Sequence, residues 1–423
     1  MSWGQHPNQP YPPQQQGYGA PPPHGYAPPP QAPPGWPGQP QQQYGAPPGP
    51  PPQAYGAPAG YGAPPPQHHA YHQAQPYHQQ PPAPYGAPSG GFFYLGIPIP
   101  PPPPHQPAPP PMGYNPAQDV ERIRKATKGF GTDEGALIST LAPLDAFQVD
   151  ALRHTFKAQV GKDLVTVLEK ETSGWFENVL RAKVLGPVGF DVWLINRACQ
   201  GAGTHEDLLN EVLLARTNSE IHVLKQAYQA TYGKNLEKVV EQELSFKTKR
   251  LFTMAMQGVR MEDSAPVDHA MVEADIRALK SAARGAGTDE IAICGILVQR
   301  STPHLQAVAA GYQRQHGKLS KMINSEFSGH MEDALRFIVD GVEADGRGVE
   351  RDARLIEDSM KGMGTKDERL IYRVVRAHWN RARFEQVKRA YAATQNKKGL
   401  KNRIEGETSG DYKRMLCAIV GSS

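Results

Sequence analysis

Glu171, Glu243, Glu326 and Glu407 each stand 41 to 45 residues after the first glycine of a Gly-x-Gly-Thr loop. The loops are Lys128-Gly129-Phe130-Gly131-Thr132, Gln200-Gly201-Ala202-Gly203-Thr204, Arg284-Gly285-Ala286-Gly287-Thr288 and Lys361-Gly362-Met363-Gly364-Thr365. Glycine has no Cβ, so closely spaced glycines let successive carbonyls turn outward into a shallow concavity. A carboxylate from a second loop adds charge and two more oxygens. Neutral carbonyls, one bidentate acid and open water positions suit Ca2+, a hard ion that takes six to eight oxygens; Mg2+ demands a tighter octahedron. One carboxylate per site implies weak affinity, ~10⁻⁵ to 10⁻³ M. The open positions invite a lipid phosphate, which would make the ion a bridge between protein and membrane.

One such loop would signify only a helix end. Four copies in one register carry the metal reading, because the first glycines fall 72, 84 and 77 residues apart and fixed-period recurrence marks a repeat architecture. Other chemistries fit poorly. No Gly-Lys-Ser/Thr of a phosphate-binding P-loop and no alternating acids of an EF-hand are present. His154, His222 and His304 do not recur in register with any Ser or Cys, so a catalytic constellation is missing and the chain reads as a non-enzyme.

The elements that must hold these loops are short helices, about five per repeat. An aliphatic residue lies six positions before each first glycine (Ile123, Ile195, Leu279, Ile356) and others lie eight and twelve after it (Leu137/Leu141, Leu209/Leu213, Ile293/Leu297, Leu370/Val374). In the first repeat, Asn115-Pro116 opens a helix in the N-cap/N1 arrangement, with Val120, Ile123 and Ala126 on one face. The glycines break it, and Thr132 is expected to cap the next helix ahead of Asp133 and Glu134. Further helices are expected at Asp145–Val160, Leu164–Lys170 and Trp175–Val184, the last entered through the turn Glu171-Thr172-Ser173-Gly174. Leu180, Phe252, Leu335 and Leu416, nine residues past each acid, are expected to face the repeat cores. Asp119, Asp191, Asp275 and Asp352, ten residues before each loop, are expected to be helix caps rather than ligands. Strand signals are absent, so the folded part is expected to be all-α. Repeats are placed at 113–186, 187–260, 268–345 and 346–423, with a longer join, Met261–Ala270, between the second and third.

Composition separates this part from what precedes it. Residues 1–118 contain no Asp, Glu, Lys or Arg and hold 39 of the 43 prolines. A segment so rich in Pro, Gly and Gln buries too little apolar surface to offset its ordering entropy, so 1–112 is expected to be a disordered low-complexity tail. Tyr-Gly-Ala-Pro recurs there at Tyr18, Tyr44, Tyr55, Tyr61 and Tyr85. These elements are read as stickers for self-association, as docking motifs for a protein partner, or as a spacer. The apolar cluster Gly91-Phe92-Phe93-Tyr94-Leu95-Gly96-Ile97 is expected to dock on the folded part or on a membrane. His6, His24, His68, His69, His72, His78 and His105 lack ligand spacing and are read as polar filler. A net charge of +4 is too mild to imply nucleic acid, yet would not oppose an anionic membrane. Cys199, Cys294 and Cys417 form no Cys-x-x-Cys pair, which fits a reducing compartment. No basic stretch leads into an apolar run at the N-terminus, so no secretory signal is expected. Nowhere do 18 apolar residues run together, so no transmembrane helix is expected.

Four repeats of about 70 residues, each with Gly-x-Gly-Thr and a distal acid, resemble the annexin family, most closely through Thr127-Lys128-Gly129-Phe130-Gly131-Thr132-Asp133-Glu134 and Gly406-Glu407-Thr408-Ser409-Gly410-Asp411-Tyr412. The Pro/Gly/Tyr/Gln-rich head is similar to that of synexin-type and fungal annexins. The resemblance implies a curved disc of four all-α repeats. It also implies Ca2+-dependent, reversible binding to acidic phospholipids, especially phosphatidylserine, from the cytoplasm onto plasma or vesicle membranes. Membrane organisation, vesicle trafficking or aggregation, and repair are the roles that follow; a calcium-gated channel or a tail-driven scaffold are the alternatives. Carried over residue by residue, the ligands implied are the carbonyls of Thr127, Gly129 and Gly131 with Glu171; Cys199, Gly201 and Gly203 with Glu243; Ala283, Gly285 and Gly287 with Glu326; and Met360, Gly362 and Gly364 with Glu407. Phe130 and Met363, between the glycines, would sit at loop tips and contact the bilayer. The second repeat departs from the pattern at Gln200 and Leu244-Ser245-Phe246. The arginine usual to the family twelve residues past the loop Thr survives as Arg216 and Arg300, with Leu144 and Ala377 in its place elsewhere.

Overall fold

A computed structural model describes residues 91–421 apart from positions 104, 130, 201, 202 and 284–286, and at 246 the backbone alone. The tail reading of 1–90, including the Tyr-Gly-Ala-Pro elements and all its histidines except His105, lies outside the described residues. So do the expectations for Phe130, Gly201 and Gly285.

The helices come in four sets of five among the described residues. The first set is α1 (Pro116–Ala126), α2 (Glu134–Leu141), α3 (Ala146–Val160), α4 (Leu164–Glu171) and α5 (Gly174–Val184). The second is α6 (Gly186–Ala198), α7 (Glu206–Leu213), α8 (Asn218–Tyr232), α9 (Leu236–Glu243) and α10 (Phe246–Met256). The third is α11 (His269–Ala282), α12 (Glu290–Gln299), α13 (Thr302–His316), α14 (Leu319–Glu326) and α15 (Gly329–Glu343). The fourth is α16 (Val349–Asp358), α17 (Asp367–Trp379), α18 (Arg381–Thr394), α19 (Gly399–Glu407) and α20 (Gly410–Val420).

Local chemistry sets the ends. Asn115 caps α1 by accepting from the Ala117 amide at 3.1 Å, with Pro116 at the first helical position. Asp145 and Gln148 close a capping box on α3, and Gly161 ends it in the left-handed region at φ 73°. The cap of α2 is Asp133, not Thr132: its carboxylate accepts from the Ala136 amide at 2.9 Å. The register aliphatics are buried in every repeat. Ile123, Ile195, Leu279 and Ile356, and then Leu180, Phe252, Leu335 and Leu416, are at most 1% exposed. Full burial of one such side chain contributes about 1.5–3 kcal/mol.

The four register aspartates are not helix caps. Each lies inside the first helix of its set, where its carboxylate caps no helix amide, and instead accepts from a cation or hydroxyl. Asp275 takes Arg300 through two bonds of 2.7 and 2.9 Å and His304 at 2.8 Å. Burial works against that carboxylate, but Arg300 and His304 together hold it below the usual range. Asp352 pairs with Arg351 and Arg383, Asp119 with Arg122. Asp191 is fully buried and binds Arg216 of α7–α8 and Arg376 of α17, so it joins the second repeat to the fourth.

The segment 91–112, expected to be disordered, is described apart from position 104, and the folded part is not wholly helical. β1 (Phe92–Tyr94) and β2 (Ile97–Ile99) form an antiparallel hairpin in which Phe92 faces Ile99 and Tyr94 faces Ile97. Leu95 and Gly96 both take positive φ, 54° and 73°, the twist that a two-residue hairpin loop needs. Sequence signals missed it because strands of three residues show no usable alternation. The fold supplies the stabilisation: Tyr94 is fully buried, its hydroxyl donates to Asp191 at 2.6 Å, and Arg216 lies over its ring at 5.3 Å. The Leu95 amide donates to Glu220 at 2.7 Å, and Asn380 donates to the Leu95 carbonyl at 3.1 Å. Of the two docking options for the apolar cluster, the folded part receives it.

The first set packs on the fourth through α5 against α17 and α20, and the second on the third through α7 against α15 and α10 against α12. At the first of these contacts Lys183 Nζ lies 2.8 Å from His378 Nε2 and 4.1 Å above the Trp379 ring. His378 Nδ1 faces the Ile419 carbonyl at 3.1 Å. Burial, then Lys183 and Arg381, push the His378 imidazole down to about 3. The unfolded chain therefore binds a proton at this position that the folded one refuses. The stability present above pH ~6.5 should fall as pH drops toward 3, by up to about 1.4 kcal/mol per pH unit. Urea titrations between pH 7 and 4 should show His378→Gln with a shallower acid loss than the parent; equal slopes would place the acid sensitivity elsewhere.

Candidate functional site

Each glycine loop is closed by the same backbone bond. The amide after the loop Thr donates to a carbonyl at the end of the set's first helix: Asp133 to Ala126 (2.9 Å), His205 to Ala198 (3.1 Å), Asp289 to Ala282 (2.9 Å) and Lys366 to Ser359 (2.7 Å). Within that closure the glycines take conformations that side chains resist. Gly129 and Gly131 have φ of 110° and 89°, Gly362 and Gly364 of 105° and 84°, and Gly203 of 94°. A methyl group at any of these five would meet no atom within 4 Å, so the glycines are required by backbone conformation and not by crowding.

The loop threonine ties the loop to its distal acid in all four sets. Thr132 Oγ1 donates to the Glu171 carbonyl at 2.8 Å, and Thr204 Oγ1 to the Glu243 carbonyl at 3.0 Å. Thr288 Oγ1 donates to the Glu326 carboxylate at 2.7 Å, and Thr365 Oγ1 to the Glu407 carbonyl at 3.2 Å. The role expected of Thr132, capping, thus belongs to Asp133, and the hydroxyl spans two turns 39 residues apart. The acid turn has its own glycine in three sets, Gly174, Gly329 and Gly410, with φ of 62°, 59° and 60°; Phe246 stands there in the second.

The residues fit a hard cation to differing degrees. In the first set, the carbonyls of Thr127, Gly129 and Gly131 accept no hydrogen bond from the described residues, and the exposed Glu171 carboxylate pairs with none of them. Unclaimed oxygens are what a Ca2+ shell needs. Cys199 and Ala283 end α6 and α11 as C-caps, with Gly203 and Gly287 following. Burial, with Glu243 nearby, pushes the Cys199 thiol up to about 12, so no thiolate is offered there at neutral pH. In the fourth set Met360 is buried and its carbonyl is already taken: Arg403 donates to it at 2.5 Å and binds the Glu407 carboxylate. Glu357, 3.4 Å from Arg403 Nε, helps hold the guanidinium there.

Sequence reasoning ranked the first and fourth loops together by motif and passed over Arg403. The signal was available, because the position four before the acid is Val167, Val239 and Met322 in the other sets. A guanidinium at two of the expected ligand positions would have to move before a cation could bind there. Arg403→Met in a Glu171→Gln background should therefore lower the calcium midpoint of membrane binding by about three- to tenfold, the scale of a partly buried ion pair. An unmoved midpoint would mean that the arginine swings aside at no cost.

Met363 is fully exposed at its loop tip, as expected of a side chain that does not fold back on the helices. Trp175, passed over as a contact residue, is also exposed and follows Gly174 in the turn that carries Glu171. His105, read as filler, packs against α3 beside Asp150 and His154.

The annexin family model matches residues 118–182, 190–254, 274–338 and 351–419. Annexin C1 of Cryptococcus neoformans var. grubii is 51% identical over 395 residues, covering 90% of this chain and 82% of that protein. Human Annexin A7 is 37% identical over 319 residues, 74% of this chain and 63% of that protein. Among solved structures, annexin III superimposes with a TM-score of 0.68 at 30% identity, over 74% of this chain and 95% of that one.

Proposed function

Because this chain belongs to the annexin family, whose general property is calcium-dependent phospholipid binding, we propose that it attaches reversibly to membranes rich in acidic phospholipid, phosphatidylserine above all. The observation that carries this reading is the Thr-to-Glu bond in every set, which brings each distal acid beside its glycine loop. The carbonyls of Thr127, Gly129 and Gly131 with Glu171 would hold the ion best, and those around Glu243, Glu326 and Glu407 would supply further sites. Bound there, Ca2+ would supply the Lewis acid that a lipid phosphate needs. The protein's own part is to fix the oxygens on loops that glycine alone can form.

Exposed apolar side chains at Met363 and Trp175, joined by Phe130 from the sequence, would enter the interface once the loops dock. Among the described residues no helix is long and apolar enough to cross a membrane; attachment would be peripheral, from the cytoplasmic side. Membrane organisation, vesicle trafficking or aggregation, and repair are the roles this supports, as a binding protein and not an enzyme. The Tyr-Gly-Ala-Pro tail would add self-association or a protein partner. The channel alternative draws little support. In the 390 Å³ cavity lined by Glu211, Arg216, Arg373 and Arg376, Arg373 pairs with Glu211 while Arg216 and Arg376 pair with Asp191, and Leu95 of the hairpin also lines it.

Co-sedimentation with phosphatidylserine vesicles across a calcium titration tests the reading. Binding should rise steeply with calcium, reverse with EGTA, and be weak on phosphatidylcholine alone. Met363→Ala with Trp175→Ala should weaken it at saturating calcium by about five- to thirtyfold, the worth of partial apolar burial at an interface, with thermal stability in EDTA unchanged. Calcium-independent binding, or equal binding to neutral vesicles, would overturn it.

A further inference from the structure

The Pro-rich segment after the hairpin carries His105 to the surface of α3. There Asp150 and His154 stand four residues apart, hence on one face of that helix. His105 Nε2 lies 3.3 Å from Asp150 Oδ2, and His154 Nε2 lies 3.6 Å from Asp150 Oδ1. The two imidazole rings meet edge to face, with centroids 5.1 Å apart and planes at 75°. One ligand atom from each residue can be chosen so that all three lie within 4.8 Å of one another. The side chains are 12%, 21% and 33% exposed for His105, Asp150 and His154, so the cluster is sheltered but open on one side.

The His105–Asp150 contact is a long hydrogen bond at 3.3 Å, and the His154–Asp150 contact at 3.6 Å lies beyond the usual range of about 2.7–3.2 Å. The His105–Asp150 separation matches the edge of a tetrahedron around a small cation, since metal–ligand lengths of 2.0–2.2 Å place neighbouring ligand atoms about 3.3–3.6 Å apart, and the Asp150 carboxylate turns one oxygen toward each imidazole. The hydrogen bonding of the cluster is also incomplete, since the buried Nδ1 of His105 has no partner among the described residues. Two imidazoles and one carboxylate, with room for water, are the donors of a borderline ion such as Zn2+ and not of Ca2+, which asks for six to eight oxygens. The site is remote in kind from the glycine loops, which offer only oxygen.

We propose that His105, Asp150 and His154 bind Zn2+ and thereby clasp the segment that follows the hairpin onto the first repeat. The consequence is a second metal dependence, independent of calcium, that acts on the attachment of the N-terminal segment. One ligand comes from that segment and two come from α3, so the ion can be held only when the segment is in place.

The test uses the full-length chain with Zn2+ alone, titrated calorimetrically with and without saturating Ca2+. One tight equivalent should bind in both buffers. His105→Ala, His154→Ala and Asp150→Asn should each weaken that equivalent by about 100-fold or more, beyond the 10–100-fold that outer-shell partners cost. Melting in EDTA should be unchanged, which excludes misfolding as the cause. Co2+ should give the visible bands of a tetrahedral site in the parent and not in these variants, and His154→Cys should restore binding with a thiolate charge-transfer band. Undiminished Zn2+ affinity in all three variants would assign the ion to the other tail histidines and overturn the proposal, as would a parent that binds no Zn2+.

Discussion

Changing Glu171 and Glu407 together to Gln should raise the calcium concentration for half-maximal vesicle binding by about 10- to 100-fold, far more than the two single effects combined. Each loop on its own holds its ion weakly, so attachment depends on several loops engaging one surface at high effective concentration. Removing two carboxylates from a set of four removes the avidity as well as the sites. The single changes should be unequal. Glu171 is exposed, pairs with none of the described residues, and belongs to the loop whose carbonyls are unclaimed. Glu407 is held by Arg403, which also occupies the Met360 carbonyl. Glu171→Gln should therefore shift the midpoint more than Glu407→Gln. Vesicle co-sedimentation against calcium decides both points: a double variant that titrates like the parent removes these acids from the site, and a larger effect of Glu407→Gln removes the role given to Arg403.

Asp191→Ala should destabilise the folded part by about 3–5 kcal/mol, the cost of leaving buried guanidinium without its counter-charge. Arg216 Nη2 at 3.3 Å and Arg376 Nε at 2.8 Å converge on this carboxylate, and the Tyr94 hydroxyl completes its shell at 2.6 Å. Three segments far apart in sequence meet there, so the loss should also free the hairpin and expose 91–99 to proteolysis in the native buffer. Tyr94→Phe removes one donor and leaves both cations paired, so it should cost only about 1.5–3 kcal/mol, a hydrogen bond to a charged group. Urea titration separates the two variants. If Asp191→Ala costs no more than Tyr94→Phe, the carboxylate is not the hub of this junction.

The helical repeats and the positions of the four loops were legible in the sequence because their causes are local. Asn115-Pro116, the Asp145–Gln148 box and Gly161 act within one turn of a helix. Ile123 and its three counterparts repeat a helical spacing that exposes the same face to the core each time. The pairing of each glycine loop with its acid was legible for a related reason: four copies at nearly one interval are a pattern even when a single copy is not. What tertiary structure alone decided are the contacts without a period. Tyr94 reaches Asp191 across 97 residues, and Arg376 reaches the same carboxylate across 185. Asp191 looked like its three register counterparts, and only packing reveals that it joins two repeats and anchors a hairpin. Arg403 stands at its loop because Met360 O and Glu407 converge from two turns, and His105 gained partners because the Pro-rich segment runs back over α3. Spacing along a chain reports which side chains share a helix face; which faces then meet is set by close packing and by the need of every buried charge for a partner.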